Sequence, residues 1–296
     1  RSDNFVYGLG VYAQGGMGTE YARGMDGLPE RSELGVGRVI APLAWNVNER
    51  LNLGATVELV WAMLDLRMAM PMGQLAGLIV EPGNGTLTGA LDALGGAGYD
   101  TARLDFSDDN DFTGEAKSVG VAGKLGFTYQ VSPALRVGGT YHAKTRLGDM
   151  ETGSNDAALV ARDIDGHAPE QRVPGRIIVR DFQWPETYGL GLAFQPAAGW
   201  LVAADWKRIN WADDMQDFSM TYVAAGDAVT FKLPQNWKNQ NVWQLGVAWQ
   251  ASAALTLRGG ASFAKNPVPD ETMHYLFPAI PERHVMAGFG YRFAAG

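Results

Sequence analysis

The sequence predicts an all-β protein, an up-and-down antiparallel transmembrane β-barrel. Three observations carry this: alternation of period two repeated along the chain, strands of about 11 residues or more, and connections that alternate between short and long. Alternation is clearest after residue 50, where Leu51, Leu53, Ala55, Val57, Leu59 and Trp61 are separated by Asn52, Gly54, Thr56 and Glu58. Successive side chains of a strand point to opposite faces, so one face here is apolar and the other small or polar. The pattern returns at Val119, Val121, Leu125, Phe127 and Tyr129, at Leu135, Val137 and Tyr141, at Trp243, Leu245, Val247 and Trp249, at Leu255, Leu257 and Phe263, and at Val285, Phe289 and Tyr291. A soluble β-sandwich alternates too. Strands of this length, however, are long for a soluble sheet and suit a tilted crossing of a bilayer.

The expected strands are 5–14, 34–46, 51–66, 116–131, 135–147, 174–195, 200–211, 237–250, 254–265 and 283–293, about ten in all, in a single domain over 1–296. Pro185 lacks a ladder donor and is expected to break the strand at 174–195. Short turns fall at 47–50, 132–134, 196–199 and 251–254. Long loops fall at about 15–32, 67–114, 148–173, 213–235 and 266–282. Short turns on one side and long loops on the other are what an up-and-down membrane barrel produces, whereas a Greek-key sandwich has no reason to sort its connections. Trp45, Trp61, Tyr129, Trp200, Trp249, Tyr291 and Phe293 sit near strand ends, where an interfacial girdle requires aromatics.

Composition bounds the function. A net charge of −8 over 296 residues leaves no basic surplus for a nucleic acid. The absence of cysteine excludes disulfides, thiolate metal sites and thiol nucleophiles. No apolar run reaches the length of a membrane helix, but a mean hydropathy of −0.12 is compatible with a barrel, whose strands alternate. The chain opens at Arg1 almost directly in a strand-like run with no signal sequence, which reads as a truncated start.

Several segments resemble the FadL/TodX family of outer-membrane transporters for hydrophobic compounds. They are Leu233-Pro-Gln-Asn-Trp-Lys-Asn-Gln240 leading into a strand, Leu255-Thr-Leu-Arg-Gly-Gly260, Lys265-Asn-Pro-Val-Pro-Asp270 leaving the next, and the closing Gly288-Phe-Gly-Tyr-Arg-Phe293. Near the start, Tyr7-Gly-Leu-Gly-Val-Tyr12 and Gly15-Gly-Met-Gly-Thr-Glu-Tyr21 are similar to the family's third strand and the loop after it. The resemblance implies a fourteen-stranded barrel of which this chain holds the middle, a partly helical apolar loop at 67–114, and a missing N-terminal plug. It further implies a monomer in contact with outer-membrane lipid, with a fatty acid or alkylbenzene as ligand.

No Gly-x-Ser-x-Gly elbow, P-loop or His-Glu-x-x-His motif is present, and His142, His167, His274 and His284 lack metal-ligand spacing. No enzyme, cofactor or metal is expected; Asp108-Asp-Asn-Asp111 reads as a solvated loop. Candidate substrate-binding residues are Met68, Met70, Met72, Leu75 and Leu78. They are concentrated in a loop expected to be water-exposed, where soft methionines can accept varied shapes or fold back as a small helix against the rim. Arg136, Lys144 and Arg258 face the lumen by alternation, as do Lys124, His142, Arg146, Asp205 and Lys207; they are candidate partners for a carboxylate or members of a paired polar wall. Gly15, Gly16 and Gly18 could distort their strand and open the wall, as a kinked third strand does in the resembled family, or form a glycine-rich turn entering the loop. The functional expectation is passive uptake of a hydrophobic molecule with lateral exit. A general diffusion porin and a soluble β-sandwich binding module are the alternatives.

Overall fold

The computed structural model describes residues 4–278 and 280–293. In chain order its strands are β1 (Phe5–Tyr7), β2 (Gly10–Tyr21), β3 (Glu30–Asn46), β4 (Leu51–Pro71), β5 (Ile79–Glu81), β6 (Thr101–Phe106), β7 (Ala116–Ser132), β8 (Leu135–His142), β9 (Arg146–Leu147) and β10 (Met150–Glu151). They continue with β11 (Ala157–Arg162), β12 (Gln171–Arg180), β13 (Thr187–Phe194), β14 (Trp200–Ile209), β15 (Asp217–Ala224), β16 (Asp227–Pro234), β17 (Gln240–Gln250), β18 (Leu255–Ala264) and β19 (Arg283–Tyr291). Two helices, α1 (Met72–Leu78) and α2 (Thr86–Gly96), flank β5.

Ten of these strands form the barrel wall: β2, β3, β4, β7, β8, β13, β14, β17, β18 and β19, each paired antiparallel with the next. The count of nineteen corrects the expected ten, because the external loops fold into strands of their own. A second antiparallel ribbon leaves the wall at the outer end of β4 and runs through β6, β11, β12, β15, β16 and β5. The segment 174–195 is not one strand: β12 belongs to the ribbon, β13 to the wall, and residues 181–186 around Pro185 join them. Loop 67–114 holds both helices.

Wall and ribbon bury opposite things. On β4, Val57 and Leu59 are 74% and 52% exposed while Leu64 and Leu66, further along the same strand, are 1% exposed. The lower part of β4 faces outward as apolar surface; the upper part is covered on both sides. Val121, Leu125, Leu190, Leu245, Val285 and Phe289 continue the outward apolar band around the wall, as lipid contact demands. The buried core lies at the external end, where Leu64, Met68, Leu104, Phe106, Ile177, Met220, Phe231 and Leu276 pack together.

The short turns close the opposite end. In the first, the Asn48 carboxamide accepts the N–H groups of Arg50 and Leu51, each at 2.9 Å, and Gly199 supplies the positive φ of 78° that another needs. Stacked Phe5–Trp45 and Trp200–Trp249 pairs stand at this end, with centroids 5.8 and 5.4 Å apart. The Trp206–Trp243 and Tyr141–Tyr188 pairs stand nearer the other. Two aromatic levels flanking an apolar band are the arrangement of a membrane-spanning barrel.

Candidate binding cavity

An apolar cavity of 330 Å³ lies where the wall meets the external structure. The wall contributes Met17 from β2, Leu34 from β3, and Leu64, Leu66 and Met68 from β4. α1 adds Gln74 and Leu78. The ribbon and its connections add Phe182, Met215, Phe218, Met220, Leu233 and Trp237, and the loop before β19 adds Glu271, Thr272, Met273, His274 and Phe277. Five of the chain's eleven methionines line it, an adaptable surface suited to varied apolar shapes. The volume falls at the small end of ligand cavities, roughly 300–1,000 Å³.

The loop before β19 is tied across this cavity as a strap. Leu276 is fully buried, and its carbonyl accepts hydrogen bonds from the Thr19 hydroxyl at 3.0 Å and from Ser32. The Tyr275 hydroxyl donates to buried Glu30, whose carboxylate also accepts the Ala69 N–H at 3.0 Å. On the far side the Thr272 hydroxyl donates to the Gln235 carbonyl at 2.6 Å. Desolvation lowers the His274 imidazole below its usual range, against the pull of Glu30. Its Nδ1 accepts the Leu276 N–H at 3.2 Å, which also requires that nitrogen unprotonated.

Beneath the cavity the barrel interior is polar. Arg38 and Glu58 form a fully buried ion pair, and the Thr56 hydroxyl donates to Glu58 at 2.9 Å. Registers place Lys124, His142, Asp205, Lys207 and Gln244 on the same inner face. The link at 181–186 folds inward between cavity and lumen. The Gln183 carboxamide fixes it, accepting the Leu147 N–H at 2.9 Å and donating to the Leu147 carbonyl at 3.0 Å.

The residues singled out by sequence divide into three groups. Met68 and Leu78 line the cavity; Met70, Met72 and Leu75 are buried in the core beside it, Leu75 in contact with the α2 interface, rather than water-exposed. The cations lie elsewhere. Arg136 donates to the Gln130 side chain at 2.9 Å near a short turn, Arg258 lies against Gly290, and Lys144 is paired with Asp214. Arg146 pairs in register with Val121 and so stands on the outer face, because the break at 143–145 reverses the parity on which a lumen position was expected. Gly15, Gly16 and Gly18 sit on β2 beside a register shift between Ala13 and Gly15, a β-bulge that leaves Gln14 unpaired. A Cβ at Gly16 would stand 2.7 Å from the Leu34 carbonyl oxygen, so β2 and β3 approach there as only glycine allows. Phe182, Met215, Trp237 and Phe277 were not anticipated. Trp237 stands in the Leu233–Gln240 segment that resembles the family, but nothing in the sequence assigned it, Phe182, Met215 or Phe277 to a cavity.

Among the described residues one group has metal-like clustering, Asp163, Asp165 and His167, with ligand atoms within 4.8 Å of one another. The Asp163 carboxylate there already accepts the N–H groups of Asp165, His167 and Ala168, which makes it a turn-forming side chain.

The family model described as outer membrane protein transport protein (OMPP1/FadL/TodX) matches residues 2–295. The chain belongs to this family. Its members are channels of the bacterial outer membrane that transport hydrophobic compounds, and that is the location and class of this protein. A deltaS2 mutant of the TodX monoaromatic hydrocarbon channel is 30% identical, with a TM-score of 0.85 over 99% of this chain and 72% of that one. The Ralstonia pickettii toluene transporter TbuX is 32% identical, with a TM-score of 0.74 over 90% of this chain and 68% of that one. A Pseudomonas aeruginosa FadL homologue shares the fold at 15% identity, with a TM-score of 0.73 over 100% of this chain and 65% of that one. No match was found among curated protein sequences.

Proposed function

We propose that the protein carries uncharged apolar molecules, with alkylbenzenes as the model class, from the external cavity sideways through the wall into the outer membrane. The observation that carries this reading is the contrast between the cavity and what lies below it. The cavity is apolar, its lining carries one carboxylate, Glu271, and none of its lining residues supplies a lasting positive charge. An ionised fatty acid would lose its hydration there and gain no cationic partner. Arg136, Lys144 and Arg258, the cations considered for that purpose, are remote or already engaged.

The route follows from the same contrast. An apolar molecule gains about 0.8 kcal/mol per methylene by staying out of water. The Arg38–Glu58 layer and its polar neighbours offer it nothing on a straight path, whereas the bulge at Gln14 lies in the wall close to the cavity residue Met17. Solved relatives described as a monoaromatic hydrocarbon channel and a toluene transporter support the same substrate class. Met68 and Leu78 would touch the substrate, with Met70, Met72 and Leu75 backing them.

The test is uptake of toluene and of oleate by cells that lack their own channels and express the full-length protein. Toluene uptake is expected to rise well above background, with little change for oleate. Oleate uptake without toluene uptake would overturn the assignment to neutral hydrocarbons.

A further inference from the structure

A line of aromatic rings connects the cavity to the bulge of β2. Trp237 lines the cavity and meets Trp211 edge-on, with centroids 5.0 Å apart. Trp211 in turn meets Trp184 edge-on at 5.4 Å. Trp184 lies on the in-folded link 181–186, which is tied to the far wall: its N–H donates to the Thr145 hydroxyl at 2.7 Å, and its carbonyl accepts the Thr145 N–H at 3.1 Å. The indole reaches across to β2, where a Cβ on Gly15 would stand 2.7 Å from its ring. Gly15 therefore makes room for this one ring, beside the unpaired Gln14.

We infer that Trp184 is the residue that closes the wall opening from inside and sets the size of molecule that can pass from cavity to membrane. This rests on the lateral-exit reading proposed above. Two features make the ring the moving part. Its backbone is fixed from both sides, yet among the described residues its indole N–H has no hydrogen-bond partner, whereas that of Trp237 donates to Gln235 at 3.2 Å. The ring is held by packing alone. The closed arrangement also leaves the Gln14 side-chain oxygen buried without a partner, a cost that opening the bulge to water or substrate would relieve.

The experiment compares initial uptake of toluene and biphenyl through the full-length protein, as parent, Trp184→Ala, Trp184→Phe and a deletion of Gln14. Deleting Gln14 makes Ala13 and Gly15 consecutive in register opposite Gly37 and Val36, and so removes the bulge. Trp184→Ala is expected to raise the biphenyl-to-toluene ratio by about two- to tenfold, the rate change matching loss of one edge-to-face aromatic contact. Trp184→Phe should move it in the same direction by less, and it carries the test if the alanine variant does not fold. The Gln14 deletion should abolish uptake of both. An unchanged ratio in the Trp184 variants, or an equal fall in both rates, overturns the gate while loss of uptake in the deletion leaves lateral exit standing. A deletion that transports normally overturns lateral exit, and the gate with it.

Discussion

His274 is held in the strap by two interactions that require a neutral ring, its burial beside the cavity and the Leu276 N–H on Nδ1. Burial sets its folded value below the ordinary one of about 6.5, while a loosened strap returns it to that value. A group lowered in this way supports the closed form above the ordinary value, and the support is lost as pH falls from there towards the folded value. Toluene affinity, read by quenching of tryptophan fluorescence, is therefore expected to weaken as pH drops below about 6.5. His274→Gln should flatten that dependence. The same weakening in the Gln variant would remove His274 from the explanation. Of the residues around the cavity, Met68 and Leu78 could be picked out from sequence because apolar side chains crowd their stretch. Phe182, Trp237 and Phe277 could not, since they lie far apart in the chain and meet only once the ribbon has folded. The charged candidates lie away from the cavity for a related reason: alternation states which face a side chain occupies but not its height in the barrel or its partner.

At the scale of elements, the wall strands were readable because each has one exposed apolar face and one face on the polar lumen, which forces period two. The ribbon was not. Ala157–Ala161 and Thr101–Leu104 are buried on both faces, so their sequences lose alternation; the first reads as a short apolar run inside a loop, and Thr101 and Arg103 mask the second as polar. The glycines of β2 lie beside its register shift, but Gln14, the residue that bulges, carries no signature of its own. α2 is held at its start by another element as well as by its own chain. Its N-cap, Gly85, has no side chain; the Asn84 carboxamide accepts the Thr86 N–H at 3.0 Å, and the Asp227 carboxylate at the start of β16 accepts the N–H groups of Asn84 and Leu87 at 2.7 and 2.9 Å. Those hydrogen bonds, the Leu87 N–H first, hold Asp227 below the usual carboxylate range. Asp227→Ala should raise amide exchange across residues 84–91 while leaving the wall strands protected. Unchanged exchange there would mean that Leu87 and Leu91 packing alone secures the helix.

The whole molecule inverts its apolar surface along its length, greasy on the outer face of the wall and greasy inside where wall and ribbon enclose the cavity. Between them lies a charged interior built on Arg38 and Glu58. A diffusion porin uses a polar lumen as its conduit. In the lateral-exit reading proposed above, the lumen is instead the barrier that turns an apolar molecule towards the wall. The alternatives separate in one measurement on proteoliposomes holding the full-length protein: swelling in arabinose alongside entry of labelled toluene. The account predicts protein-dependent toluene entry with no swelling above empty liposomes. Rapid swelling in the sugar, with toluene entry no faster than through lipid alone, would contradict it and make the protein a porin.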